Sequence, residues 1–534
     1  MKNNRILLYL LAPLTILSGC GKKQAEDVVK DKVVKQSLSI PLPTNPTTFD
    51  PGKMSDADTH NIILQCFETL VTHAEDNSIV GQLAEKYDIE NDGKTYVFTL
   101  KKGVKFHNGK EMTAEDVKWS FERTMDPKLA SVDAENFLDD IVGAMDKIKG
   151  KANRIKGIKI RDKYVVSFDL IKPTPYFLGK LTYPTGVILP KGDVPLSEIA
   201  DIKDCIGTGP FKMKEYRREQ LVRLDAFEDY HGGKAKLDKI WYFIIKDPVT
   251  RLNKFKSGHL DILTLEKQDI AGVKADPNLK DKLIFHERPA LYFVDLNPLK
   301  EEAFKNRDVR RAIAMAINKE NIVKNILKGA NTVANSLIPP GVPGHRKTTP
   351  GPSYDPEKAK VLLEKAGYGP GGKELKFKIS LRAARHDLRA VAEAIALDLH
   401  KIGVKVKLSQ FDWSVFLQKF YAAEHTATHM KWLNDYLDPH NNISIFYHKD
   451  SGNNIYKYRN SKVDQLIEAA DSITDQQKRV KLYQEAEDII LNDAPRIPIY
   501  FMKDPLLVSS EVKGIRMNAL WTMAHTTTHK VTSK

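Results

Sequence analysis

KELKFKISLRAARHDLRAVAEAIALDLHKIGVKVKL, residues 373–408, holds one strand–helix–strand cycle. Lys373 to Leu381 reads as a strand. Val391, Ile395, Leu399 and Ile402 then recur at helical spacing and form one stripe. Gly403 is a fitting stop, because glycine takes the left-handed backbone that a helix end favours. Val404, Val406 and Leu408 alternate as a second strand. Such a βαβ unit places its two strands in one sheet with the helix packed over it, so the second half is expected to hold a mixed or parallel sheet. Helices expected around Lys462–Ile473 and Asp475–Asn492, and a strand at Arg496–Phe501, complete that layer. The fold class is α/β.

Moving outward, 534 residues exceed one small core and suggest two or three domains. Apolar residues make up 42% and charged residues 28%, as in ordinary globular chains. The net charge of +14 is spread through the expected helices instead of being gathered in one run, which reads as a solvated surface and not a nucleic-acid face. At the N-terminus Lys2 and Arg5 precede an apolar run, Ile6–Ile16, too short to span a bilayer, and then Leu17-Ser18-Gly19-Cys20. That order resembles the lipobox of bacterial lipoproteins. It implies cleavage before Cys20 and a lipid on its sulfur, hence export and anchoring without a membrane span. Residues 21–36 lack aromatics, are dense in charge and read as a tether that reaches roughly 50 Å when extended. Ser37–Leu42 alternates as a strand. With Cys20 acylated, Cys66 and Cys205 remain, as one disulfide or as two buried thiols.

The most reactive-looking stretch is MKWLNDYLDPH, residues 430–440. Asn434-Asp435 and Asp438-Pro439 are turn steps, so two carboxylates, two large aromatics and a histidine fall on a loop after a strand. A carboxylate buried there needs a cation, and a ligand can supply it. The same loop also admits turn capping by Asp435 and Asp438. Metal is the rival reading. His440 follows Asp438-Pro439, and His425/His429 and His525/His529 form two His-x-x-x-His pairs. Thr426 and Thr428 favour a strand for the first pair, where imidazoles four residues apart stand about 13 Å apart and cannot share an ion. No hydrolase, Walker or dinucleotide fingerprint is present, so nothing supports an enzyme or a cofactor.

GQLAEKYDIENDGKTYVFTLKKGVKFHNGKEMTAEDVKWSFERTMD, residues 81–126, reads as turn, strand, turn and a helix opened by Thr113 with Asp116 three residues on. It resembles the signature of the extracellular solute-binding proteins of peptide and nickel ABC importers. Ile206-Gly207-Thr208-Gly209-Pro210-Phe211, Asp308-Val309-Arg310-Arg311-Ala312-Ile313 and Tyr354–Ala359 with Ala366-Gly367-Tyr368 resemble further motifs of that family, in its order.

The resemblance implies a two-lobed periplasmic-binding-protein fold (type II, peptide-binding class) with mixed sheets, two hinge crossovers and an inserted accessory α+β subdomain. On that reading the segments are a leader (1–19), a lipidated Cys and tether (20–36), lobe I (37–75, 204–289 and 501–534), the accessory subdomain (76–203) and lobe II (290–500). The crossovers fall near Pro289–Asp295 and Pro495–Lys503. The implied ligand is a short peptide, or a nickel chelate on the alternative reading, and the implied partner an ABC permease; a monomer is expected.

By the same resemblance Asp435 matches the residue that pairs with a peptide α-ammonium. Arg382 matches the one that holds the ligand carboxylate, with Arg385 and His386 close enough to substitute. Trp432, Tyr436 and Trp413 are candidates for side-chain pockets, Tyr292 and Asn297 for cleft contacts, and His440 for the metal alternative.

Overall fold

The computed structural model describes residues 35–531 except Ser55, Pro370, Gly371, Ala384 and Trp521. The leader, Cys20 and the tether up to residue 34 lie outside the described residues. The strand–helix–strand cycle is present as Lys376–Arg382, His386–Lys401 and Lys405–Phe411. Its strands pair in parallel from Lys376↔Lys405 to Arg382↔Phe411. Val391, Ile395 and Leu399 are fully buried on the sheet, as their stripe requires.

Those strands form one edge of a seven-stranded sheet. Its path runs Ile262–Thr264, Arg496–Val508, Leu283–Leu296, Ala427–Leu433, Lys376–Arg382, Lys405–Phe411, and Thr332–Val333 joins Arg496–Val508. The sheet is mixed: parallel at the cycle and antiparallel where the two long strands meet each other and Ala427–Leu433. The second long strand runs well past the expected end at Phe501. Its two prolines obscure it in sequence, since proline cannot donate to a ladder. Pro498 is accommodated beside a register shift, between Tyr292 and Phe293 on the partner strand, and Pro505 faces Phe285 while its carbonyl accepts from Leu265 N–H at 2.8 Å.

Two further four-stranded sheets precede this one. Ser37–Leu42 pairs in parallel with Lys239–Ile244, followed by Leu221–Ala226 and Phe211–Arg217. Ala84–Glu90, Thr95–Leu100, Val165–Asp169 and Ile158–Asp162 make an antiparallel sheet with its own apolar core, packed by helix Ala114–Thr124. Asp116 caps that helix as its spacing from Thr113 predicts, accepting from Thr113 N–H at 2.9 Å.

The Gly207-Thr208-Gly209 turn joins these sheets by close backbone approach. Helix Ala57–Cys66 stops at Cys66, whose carbonyl accepts from Gly209 N–H at 3.0 Å. A Cβ on Gly207 would stand 2.1 Å from that carbonyl oxygen. His107 clamps the turn from the other side: Nε2 donates to Gly209 O at 2.9 Å and Nδ1 accepts from Gly207 N–H at 3.3 Å. Burial pushes this histidine's pKa down to about 4, so it holds both bonds as a neutral ring. Gly207→Ala should therefore destabilise the fold by about 1–3 kcal/mol through overpacking, read as a lowered denaturation midpoint. Cys66 and Cys205 are both buried free thiols.

Candidate functional site

Residues 434–442 form a loop braced by its own side chains and by Arg479. Strand Ala427–Leu433 ends in register opposite Ala290, and Asn434 N–H donates to Pro289 O at 2.9 Å. Asn434 and Asn442 exchange amide hydrogen bonds at 2.7 and 2.9 Å. Asn441 Oδ1 accepts from Trp432 Nε1 at 3.0 Å and from Asp435 N–H at 3.2 Å. Asp438 caps the short turn Pro439–Asn441 and receives Arg479 through two bonds, 2.8 and 2.9 Å, with the guanidinium side chain fully buried. Of the two carboxylates in this loop, Asp438 thus holds it in place.

Asp435 is the other kind of carboxylate. Among the described residues it has no ion-pair partner. Burial pushes its pKa up from 3.8 to about 6; a hydrogen bond from Asn441 opposes the rise, and the nearby Asp133 carboxylate adds to it. A desolvated, uncompensated acid is costly to hold in its charged form, and a ligand cation removes that cost.

At the strand end of the loop lies a cavity of about 120 Å³ whose walls include Tyr292, Arg382, Arg385, Trp413, His429 and Lys431. Arg385 is fixed by two bonds to Asp387, 3.0 and 2.8 Å, and Lys267 approaches the same carboxylate at 3.7 Å. Burial works to raise the Asp387 pKa, but the bonds and charge of Arg385, with Lys267, hold it at about 2. Arg288 is bound to Asp504 at 2.8 Å. Lys431 has no carboxylate within ion-pair distance among the described residues. Desolvation first, then the charges of Arg288 and Arg385, lower its pKa to about 8. One flank of strand Ala427–Leu433 and its loop therefore carries an excess of positive charge, and the loop tip carries an unpaired acid. A zwitterion matches that arrangement.

The sequence agrees with this geometry. The profile described as bacterial extracellular solute-binding proteins, family 5 Middle, matches residues 78–454. The chain belongs to this family. Among similar proteins, the dipeptide-binding protein of Escherichia coli K12 is 30% identical, over 93% of this chain and 94% of that one. Heme-binding protein A of Haemophilus influenzae is 31% identical over 95% of each. The solved structure of MppA, a periplasmic murein tripeptide binding protein in its unliganded open form, superposes with a TM-score of 0.83 at 25% identity, covering 93% of this chain and 98% of that one. The expected two-lobed type II fold is the fold of this family 5 protein, which is a binding protein and not an enzyme.

Several expected site residues are placed elsewhere in this family 5 chain. Tyr436 is buried in the core of the four-stranded antiparallel sheet that begins at Ala84, against Tyr176 and Phe137, because the loop docks there ring on ring. His440 follows it: its ring stacks on Tyr176 at 3.7 Å and its Nδ1 meets the Tyr436 hydroxyl at 2.7 Å. Asn297 is fully buried; its amide donates to Ala423 O and His425 O at 2.9 and 2.6 Å, and its Oδ1 accepts from Leu299 N–H at 2.9 Å. That amide ties a turn together and has nothing left for a cleft. Trp432 braces the loop through Asn441 and sets its edge on Phe446 at 5.0 Å.

Tyr292, Arg382 and Trp413 do meet at the cavity. Arg382 is exposed and lies over the Trp413 ring at 5.3 Å, whereas Arg385 is half-buried and held by Asp387. His429 lies on a strand and bonds Phe293 O at 3.1 Å, and His425 bonds Phe416 O at 3.1 Å. No group of three metal-ligating side chains is found among the described residues. Lys431 escaped the sequence reading although it stands four residues before Asp435; the readable signal was a lysine on a strand between Met430 and Trp432.

Proposed function

We propose that this family 5 protein captures short peptides between its lobes, Asp435 receiving the α-ammonium group and Lys431 with Arg385 the negative end. The observation that carries this reading is the half-buried Asp435 carboxyl, which has no ion-pair partner among the described residues and whose pKa desolvation raises to about 6. An α-ammonium brings three donors and one positive charge to it. The names of the dipeptide- and tripeptide-binding relatives support the same ligand class. Trp413 and Tyr292 flank the cavity as pocket walls, and Arg382 stands at its rim. The register shifts between Glu287 and Leu291, and between Tyr292 and Phe293, are where we place the hinge, in the two long strands near 289–295 and 495–503. Closure presents the peptide to an ABC permease, and Cys20 carries the lipid that keeps the protein, as a monomer, on the outer side of a membrane. No helix among the described residues is long and apolar enough to cross one.

A thermal-shift screen of the soluble form beginning at residue 21 tests this, with di-, tri- and pentapeptide pools, hemin and nickel as separate arms. A ligand at 100 times its Kd adds about 2.7 kcal/mol. A shift with peptides supports the reading; a shift with hemin or nickel alone overturns it. Nickel alone is expected to be silent, since the His440 ring is committed to Tyr176 and Tyr436.

The pH dependence has a definite sign. Ammonium pairing needs the ionised Asp435, so affinity is flat above neutrality and falls by about tenfold per pH unit below 6. Unliganded stability responds oppositely. A carboxyl whose folded pKa is raised contributes most below its ordinary value, and that contribution is lost as pH rises through about 6. Calorimetric titration from pH 4.5 to 8 reads the first effect.

A further inference from the structure

Away from the peptide site, a cavity of about 340 Å³ opens at the far end of the two long strands, within the range of small-molecule sites. It shares no lining residue with the cavity at Arg385. Its floor is the bonded pair Arg496–Asp295, at 2.6 and 2.9 Å, capped by the rings of Phe446 and Tyr447. Phe420, Tyr456 and Tyr458 add aromatic wall. Six cations line it, Lys305, Arg307, Arg310, Lys457, Arg459 and Arg496, against two carboxylates, Asp295 and Asp493. Both carboxylates are already engaged: Asp295 by Arg496, Asp493 by the Tyr458 hydroxyl at 2.8 Å, Asn460 at 3.0 Å and Arg307 at 4.0 Å, while Lys305 pairs with Glu302 at 2.7 Å. Arg310 and Arg459 donate to backbone carbonyls, and Lys457 is exposed with no carboxylate partner among the described residues. Tyr447 is 3% exposed, and its hydroxyl has no hydrogen-bond partner among the described residues. A buried hydroxyl without a partner is a standing cost that an acceptor would remove.

We infer that this cavity is a second ligand site, for a small organic anion whose carboxylate or phosphate meets Lys457, Arg459 and the Tyr447 hydroxyl while a flat apolar group lies against the aromatic wall. The excess of positive charge selects an anion, and the rings select a ligand with an apolar body over a bare ion. The inference does not rest on the peptide reading, because no residue is common to the two cavities.

The test is ligand-observed NMR and calorimetry on the protein with phenyl phosphate and phenylacetate as probes, beside inorganic phosphate and benzyl alcohol. Expected are saturable binding of the two aromatic anions, weaker binding of the other two, and retention of binding in Asp435→Asn. Tyr447→Phe, which keeps the ring, should weaken phenyl phosphate by about tenfold, the loss of one hydrogen bond to a charged acceptor. Lys457→Gln, at an exposed side chain that folding does not need, should weaken it severalfold and keeps the test decisive if the tyrosine variant misfolds. Peptide affinity stays unchanged in both variants. No saturable binding at millimolar probe overturns the inference. So does binding that both substitutions leave untouched, or binding that a peptide displaces.

Discussion

Asp435→Ala is expected to lower short-peptide affinity by roughly two to three orders of magnitude, the 3–5 kcal/mol or so typical of breaking a buried charge pair. Calorimetric titration at pH 7.5 measures it. The companion variant Asp435→Asn separates a ligand role from a scaffold role. Asparagine keeps the shape and can still bond Asn441, but removes a carboxylate that the unliganded fold holds in its charged form only against desolvation. Its melting temperature without ligand should therefore rise at pH 7.5 while peptide binding is lost. A residue that merely capped the turn would show the reverse: a lower melting temperature with affinity retained. That outcome would sink the ammonium-pairing model.

The second large effect concerns the other carboxylate of the loop, Asp438, through its partner Arg479. Arg479→Met should cost about 3–5 kcal/mol of stability, because it strands Asp438 as a buried carboxylate without its two guanidinium bonds. Chemical denaturation reads it as a lower midpoint at unchanged slope. Adding Asp438→Asn to that variant should recover part of the loss, since the uncompensated charge, more than the missing attraction, carries the penalty. Peptide affinity should fall as well, because the same pair holds the loop that presents Asp435. Stability and affinity thus fall together at Arg479 and part company at Asp435.

The contrast between these two acids shows how far the sequence could be read. That one carboxylate of the 430–440 loop would seek a cation was legible from turn chemistry. Which acid was already paired was not, since Arg479 lies 41 positions away. The central sheet was legible where its pattern is local, in the strand–helix–strand cycle. It was hidden where prolines interrupt the long strand 496–508, because a register shift accommodating Pro498 leaves no pattern in the chain. Arg382 matched by spacing, yet the structure leaves it exposed over Trp413 and holds Arg385, half-buried, on Asp387. The packing of Tyr436, His440 and Asn297 was hidden from the sequence for a shared reason. Polar and aromatic side chains near a cleft look alike in sequence whether they face ligand or bind neighbouring backbone and rings, and only the packing of a distant segment around Tyr176 or Ala423 decides.

The seven-stranded sheet also sets a clock. Its strand 496–508 lies between Leu283–Leu296 and Ile262–Thr264, so Ile262–Thr264 has no ladder partner, and Leu283–Leu296 only Ala427–Leu433, until residue 508 has emerged. The first described strand waits even longer for its seal: Gln36 trades two bonds with Lys530, at 3.1 and 3.0 Å. A polypeptide delivered N-terminus first stays without the ladder between its two long strands through nearly the whole of its delivery, and such long-range pairing is slow to form. On the export we propose, late completion would keep the chain pliable during its passage across the membrane.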